Sequence, residues 1–457
     1  MASVSRTLER IKEDLQPFLS NESIIVAAHE VGHAWRERIL GPVQTVHHFI
    51  LQILFCNTAM THLRHVGDPA VRAWSYCRAR KRLPRELLEK LLTRSSQAMQ
   101  PVNPPSEPLW CGHRTYAVDG SSAIAPDTPD GQKEFGQPTA CKEGCGFPVP
   151  KLLGLFDAFS GLVLSMLCFP LYTHEQSKVW MLHPLLKAGD LLLGDRGFCS
   201  FVHMAMLFSR GVYGLFRMHQ KQIVDFRPHR KHRRKYSKGK KSKGAKEKRL
   251  PRSQFVRRLG KHDQVVRWFK DAISRPKWMS DEQYAALPES LLVRELRFVL
   301  PRKGQRTLCI TIATTLLDPL LYPKEKIAEL YGVRWQAETH FAELKTTLKM
   351  RKLKSKTAEG VKKELLVYAL VYNLVHAVML RAAQRQGVAP QRISFIDTLR
   401  CLLGAEPGAE LPDLVVNPHR PDRHEPRVVK DREDTYTKMT HPRSDLRKSL
   451  KKQAKPH

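Results

Sequence analysis

Apolar positions along this chain repeat at two periods, and the change from one to the other divides it. Over residues 22–40, 43–65 and 84–95 they recur every three to four positions, the spacing of one helix face. Ile24, Ala28, Val31, Trp35 and Ile39 make such a stripe within 22–40. Residues 5–18 predict a further helix, so the first hundred residues are expected to be largely helical. The stretch "PVNPPSEPLW", residues 101–110, holds four prolines and predicts a linker.

Beyond it, short apolar runs bounded by turn residues predict strands. "RTYAVDG" predicts a strand ending at Asp119, and "KLLGLFD" and "LVLSMLCF" predict a hairpin around Ser160 and Gly161. "DLLLGDRGF" predicts a strand before Asp195, "FVHMAMLFS" a short helix and "GVYGLFRM" another strand. A hairpin-led sheet with a crossover helix belongs to the α/β class with a mixed sheet. Strand candidates resume at 264–269, 290–300 and 307–316, and helices are predicted at 325–349 and 359–385. The run "ELLVYALVYNLVHAVML" contains Asn373 and His376, which suits a buried core helix better than a membrane span. The run "LLGLFDAFSGLVLSMLCF" is likewise interrupted by Asp157 and the turn. From about residue 412 the chain is rich in Pro, Arg and Lys, which predicts an extended or surface-wrapping tail.

Composition adds a partner to this outline. The 457 residues are 42% hydrophobic and 26% charged, enough for a large core and for two to four structural units. Lys and Arg total 77 against 44 acids, a net +33, which points to a polyanion and first to nucleic acid. Between Arg227 and Lys261 there are 17 Lys or Arg and one acid, Glu247. Such a run is predicted to be a phosphate-contacting arm, with Arg230, Lys231, Arg233, Arg234 and Lys235 at its start. "MASVSRTLERIKEDL" has no apolar core after its first charges and is not a signal peptide, so a soluble cytoplasmic protein is expected. The nine cysteines are expected to be reduced. Cys111, His113, Cys141 and Cys145 lack the spacing of a zinc knuckle.

The loudest short motif is "HEVGH", His29 to His33, which matches the H-E-x-x-H pattern of zinc peptidases. The third-ligand positions of the metzincin form are absent: Arg36 and Ile39 stand where Gly and His would be. On a helix over 22–40, His29 and His33 would lie opposite the apolar stripe, beside Arg36, which disfavours a cation and suits phosphate.

Three acids offer other metal chemistry. Asp119 and Asp195 follow apolar strand sequences, where α/β sheets open their binding crevices. Glu338 lies in the helical stretch "YGVRWQAETHFAELK", where Tyr331, Arg334, Glu338 and Lys345 are spaced by 3, 4 and 7 residues. At about 100° per residue these four share one face. A salt-bridged solvent face has the same spacing, Arg334 and Glu338 being an i,i+4 pair. Carboxylates holding two divalent ions ~3.5–4 Å apart run phosphoryl transfer in polymerases and nucleases.

The set Y-x2-R-x3-E-x6-K resembles the signature of the insertion-sequence-four family of DDE transposases. So do "AVDGSS…APDTPD…FGQP…GFPVPKLLGLFD" around Asp119, "GDLLLGDRGF" around Asp195 and the tail "VNPHRPDRHEPRVVK". The resemblance covers most of residues 20–445. It implies an RNase H-like core interrupted by a strand-rich insertion, with a helical N-terminal domain. In numbers this gives 1–107 as the helical DNA-binding part, 108–219 and 320–400 as the two parts of the core, 220–319 as the basic insertion and 401–457 as the tail. It implies Asp119, Asp195 and Glu338 as metal ligands and catalytic acids, holding two Mg2+ or Mn2+ ions. It implies Arg334 and Lys345 as phosphate contacts and Tyr331 as a contact to phosphate or base. Its partners would be double-stranded DNA, both element ends and target, and a second copy of the chain, in a bacterial nucleoid. Some members of the family form a DNA hairpin with a flipped base, for which Trp268 or Trp278 would be the stacking candidates. The competing readings are a catalytically silent DNA-binding relative and the zinc peptidase.

Overall fold

A computed structural model of the chain describes residues 19–66, 70–98, 109–232, 250–271, 275–300, 308–404, 412–418 and 439–453. Nine strands of these residues form one sheet: β1 (Thr115–Ser122), β2 (Lys151–Asp157), β3 (Val163–Phe169), β4 (Leu191–Gly194), β5 (Tyr213–Arg217), β6 (Gln254–Gly260), β7 (Asp263–Phe269), β8 (Ser290–Leu300) and β9 (Leu308–Thr314). Their spatial order is β3-β2-β1-β4-β5-β9-β8-β7-β6. The hairpin of β2 and β3 is antiparallel to β1, while β1, β4 and β5 run parallel. The remaining strands are an antiparallel meander whose last strand, β9, pairs with β5. The strand-rich segment thus extends the same sheet instead of forming a separate one. β6 is a strand that the sequence pattern does not predict, because its exposed alternation is dominated by Arg257 and Arg258.

Period-two alternation sorts the strands' side chains onto two faces. Ala117, Leu152, Phe156, Leu191, Leu193 and Leu215 share one apolar core with the helices. Tyr116, Val118, Leu153, Leu155, Leu192 and Phe216 face the other, against Val179, Leu182 and Met204.

The N-terminal helices are α1 (Asn21–Glu30), α2 (Pro42–Leu54), α3 (Ala73–Arg82) and α4 (Arg85–Ala98); residues 5–18 lie outside the described residues. Between β4 and β5 runs α5 (Phe201–Phe208), as the pattern predicts. After β9 come α6 (Lys324–Val333), α7 (Gln336–Ala342), the core helix α8 (Ala358–Gln386) and α9 (Phe395–Gly404). α8 is long and apolar enough to cross a membrane, and it is packed inside the protein, with 83% of its most apolar window buried. Asn373 docks it on the sheet: its amide accepts from Val163 N and donates to Val163 O, both at 2.8 Å. The helices α1, α2 and α4 share the core of α8. Arg80 joins them by hydrogen bonds to Gln52 and Ser355, both at 3.0 Å.

Several predicted boundaries move. The helix over 22–40 ends at Glu30, because Gly32 turns into the left-handed region at φ +67. The helix over 43–65 ends at Leu54, before Cys56 and Asn57, both at φ +53. β1 runs past Asp119 to Ser122. The helix over 325–349 is two α-helices with a turn at Arg334 and Trp335, followed by a π-turn at Glu343–Thr347. The tail, expected to be extended, contains a helix at Arg443–Gln453, where Arg443 lies 3.3 Å from Asp127.

Candidate active site

The residues of β1 are buried from Thr115 to Val118 and become partly exposed from Asp119 onward. Val118 is the register partner of Gly194 in the parallel strand β4. Asp119 and Asp195 are therefore the next residues along two adjacent parallel strands, Asp119 in the second half of β1 and Asp195 just past the end of β4, the side on which α/β sheets open a crevice. Each carboxylate is held by a backbone amide. Gly120 N donates to Asp119 Oδ1 at 3.0 Å, and Gly197 N donates to Asp195 Oδ1 at 2.7 Å.

Glu338 joins them from α7. Burial, and then the charges of Asp195 and Glu338, push the Asp119 carboxyl up to about 6, against the pull of the Gly120 amide and Arg334. The structure thus brings three acids, 219 residues apart in sequence at the extremes, into one electrostatic neighbourhood. Close approach of α7 depends on Gly154, which pairs with Asp119 across β2. A Cβ there would sit 2.6 Å from the Phe156 ring and 3.1 Å from Phe341 of α7.

Arg334 occupies the turn before α7. It is 5% exposed and donates to Glu338 Oε1 at 2.9 Å. Its guanidinium carbon lies 5.7 Å from the centre of the Tyr331 ring and 5.8 Å from that of Trp335. Its Nε is buried and has no hydrogen-bond partner among the described residues. Tyr331 is 2% exposed, and burial pushes its phenol up to about 12. It packs against Arg334 from the interior instead of facing solvent. Lys345, on the π-turn, donates to Ser121 of β1 at 3.3 Å. The four residues of the sequence pattern therefore converge, although the single helix from which their shared face was predicted is broken.

A family model described as the transposase DDE domain matches residues 110–374, more than half of the chain. This chain belongs to the DDE transposases. The transposase is 27% identical over 387 residues to the transposase InsG for insertion sequence element IS4 of Escherichia coli K12, an alignment covering 80% of this chain and 78% of that protein. Among solved structures, a piggyBac transposase synaptic complex with hairpin DNA aligns over 86% of this chain and 79% of that chain, at 8% identity and a TM-score of 0.43. The chain is a DNA transposase of the IS4 type, an enzyme of metal-dependent DNA cleavage and transfer.

Other predicted site residues of the transposase lie elsewhere. Arg230 is half-buried and bound to the protein itself, donating to Asp225 O and Ser253 O at 2.6 Å and to Ser253 Oγ at 2.9 Å. Its guanidinium ties the basic segment to the start of β6. Lys231 is exposed, and Arg233, Arg234 and Lys235 lie outside the described residues. Trp268 is buried, its indole donating to Glu295 at 3.0 Å, and Trp278 packs against Met279 and Leu287. Both ring nitrogens of His113 are engaged, by Gly189 O at 2.6 Å and the Tyr322 hydroxyl at 2.7 Å.

"HEVGH" loses its peptidase geometry for a physical reason. His29 is the next-to-last residue of α1 and His33 lies past the Gly32 turn, so the two are not one turn apart on a helix. Both rings rest near Trp35, with centroids at 4.8 and 5.7 Å. Glu30 is held by Lys90 and by Arg94, the latter at 2.7 Å. The sequence pattern also misses Ser121, which anchors Lys345; its only signal is its place two residues after Asp119 on one strand face.

Proposed function

We propose that the sheet order β3-β2-β1-β4-β5 with α8 is an RNase H-like core, and that Asp119, Asp195 and Glu338 are its catalytic acids. The observation that carries this reading is geometric: Asp119 and Asp195 follow register partners on adjacent parallel strands, and Glu338, held by Arg334, lies near enough to act on the buried Asp119 carboxyl. Three oxygen-donor carboxylates at one crevice fit hard divalent ions, so Mg2+ or Mn2+ is the expected cofactor, with two ions per site. When bound, such ions stabilise the attacking and the leaving oxygen of an in-line displacement. The chain's own residues orient the reaction. Asp119 and Asp195 are fixed by backbone amides, and Glu338 is held by Arg334. Arg334, with a buried and unpartnered Nε, and Lys345 grip phosphates next to the scissile bond. Tyr331 positions Arg334 by stacking beneath it. The phosphorus–oxygen bond to the 3′-oxygen breaks as water attacks, and the freed 3′-hydroxyl later attacks target DNA.

On this reading residues 1–107 help hold the element ends, 108–219 and 320–400 make the core, and 220–319 and 401–457 add basic DNA-facing surface. Two ends must be held at once, so the working form is a dimer or larger synaptic complex acting on double-stranded DNA in the bacterial nucleoid. The test is cleavage of a duplex carrying the element's own ends with Mg2+. Asp119→Ala, Asp195→Ala and Glu338→Ala should each abolish nicking while end binding persists. Cutting by Glu338→Ala at the wild-type rate would refute the assignment.

A further inference from the structure

A second cluster of ligand-bearing side chains lies close behind the acids. His340 stands two residues after Glu338 on α7, Glu343 opens the π-turn, and His376 comes from α8. Their donor atoms all lie within 4.8 Å of one another, and theirs is the one such group found among the described residues. Glu343 Oε2 is 3.7 Å from His340 Nδ1 and 3.6 Å from His376 Nε2. Those separations are too long for hydrogen bonds. They are close to the spacing of about 3.4 Å between ligand atoms around a tetrahedral zinc ion with bonds of ~2.0–2.1 Å.

The hydrogen bonds around the cluster leave one imidazole nitrogen, His376 Nε2, without a partner among the described residues. His376 Nδ1 lies 3.1 Å from the Ser160 carbonyl, so Nδ1 carries the proton and Nε2 presents its lone pair inward. Nε2 is buried and has no hydrogen-bond partner in the described structure, and His376 is 5% exposed. A lone pair therefore faces a carboxylate with no proton bridging them. Left so, a buried acceptor without a donor costs stability. Tyr372 borders the cluster: its hydroxyl donates to Glu343 Oε2 at 2.8 Å and so accepts from His340 Nδ1 at 2.7 Å, a proton that His340 gives up when an ion binds there. Gly161, at φ +76, lets the loop after β2 close over both imidazoles. A Cβ there would lie 2.7 Å from His376 and 2.9 Å from His340. The side chain of Glu343 is 21% exposed, which gives an ion a way in. Two imidazoles and one carboxylate favour zinc-like ions over Mg2+.

We propose that His340, Glu343 and His376 bind a structural transition-metal ion, zinc by preference, separate from the ions at the three acids. The ion clamps the helix bearing Glu338 to the core helix α8. π-turns recur at functional sites, and this one begins at the ligand Glu343. The site itself does not depend on the phosphoryl-transfer reading; its value for placing Glu338 does.

The experiment uses the full-length chain with Asp119→Ala, Asp195→Ala and Glu338→Ala combined, so that the acids cannot report. The protein is stripped of metal and titrated with Zn2+, and separately with Co2+, whose visible absorption reports a low-symmetry nitrogen and oxygen site. One equivalent of each is expected, with the intense Co2+ band of tetrahedral coordination. Adding His376→Ala should weaken binding by about 100-fold or more, because a ligand weighs at least as much as the outer-shell partners that cost 10–100-fold. Tyr372→Phe should keep the equivalent bound. No stoichiometric binding to the triple variant, or binding unchanged by His376→Ala, would overturn the proposal. The Co2+ spectrum of the triple variant decides the matter even if His376→Ala fails to fold. Loss of zinc binding with normal Mg2+ cleavage by the wild-type chain would remove the clamp and leave the catalytic reading standing.

Discussion

Asp119 bears a cost that its burial creates and that the charges of Asp195 and Glu338 add to. Its folded pKa, about 6, lies above the ordinary value of 3.8, so the folded chain holds this proton more tightly than the unfolded chain does. Below the ordinary value both states are protonated and nothing is lost. As pH rises towards 6 the stability falls, and above 6 the full penalty, up to about 3 kcal/mol, is in place. In EDTA at pH 8, Asp119→Asn should therefore melt a few degrees above wild type. At pH 4 the gap should close, and added Mg2+ should narrow it at pH 8. Equal melting temperatures at pH 8 in EDTA would contradict the site electrostatics. Arg334→Lys keeps the charge but loses the planar fork and the stacking on Tyr331 and Trp335. Cleavage should drop about 100-fold, or ~2.7 kcal/mol, with end binding nearly unchanged. At this scale the sequence is most legible where a residue's role follows from its type and its distance to a neighbour on the same element. Arg334 and Glu338 are such a pair. His340, Glu343 and His376 are not, because the third residue stands 33 positions beyond Glu343 on another helix.

Elements are legible from periodicity until the backbone departs from ideal geometry. Residues 325–349 keep helical spacing throughout, so their apolar pattern predicts one helix. The turn at Arg334 and the π-turn at Glu343 alter hydrogen-bond register without erasing that pattern. "HEVGH" is the converse case: the spacing is right and Gly32 removes the helix that would give it meaning. The hairpin, the strand before Asp195 and the core helix all follow from apolar runs and form as predicted. The helix α8 carries a polar residue for a reason the pattern alone does not supply. Asn373 satisfies both the N–H and the C=O of Val163, at the start of edge strand β3. Asn373→Leu would bury both groups unpaired. A loss of about 2–4 kcal/mol in urea unfolding is expected, where a leucine inside an apolar helix would otherwise stabilise. A loss below 1 kcal/mol would mean that the helix docks on apolar contact alone.

At the scale of the whole molecule, charge and topology act separately. Residues 233–249 contribute ten Lys or Arg to the excess of +33, while Arg230 just before them serves the fold. Deleting 233–249 should weaken binding to all duplexes alike. The slope of log K against log salt should flatten by about 0.9 for each phosphate the segment neutralises. An unchanged slope would show that the segment touches no DNA. Charge of this size was plain in the sequence, and so was the mixed α/β class. The union of core strands and added strands into one sheet was not, because the pairing of Leu215 with Thr314 joins residues 99 apart. That pairing bears on how the molecule comes into being. The parallel strands β1, β4 and β5 are complete by residue 217, and 143 residues separate Asp195 from Glu338. At a synthesis rate of about 5–20 residues per second, a nascent chain holds both aspartates for roughly 7–30 s before the glutamate exists. On the proposed assignment, the growing protein can throughout that interval fold two of its three acids into place and cut nothing.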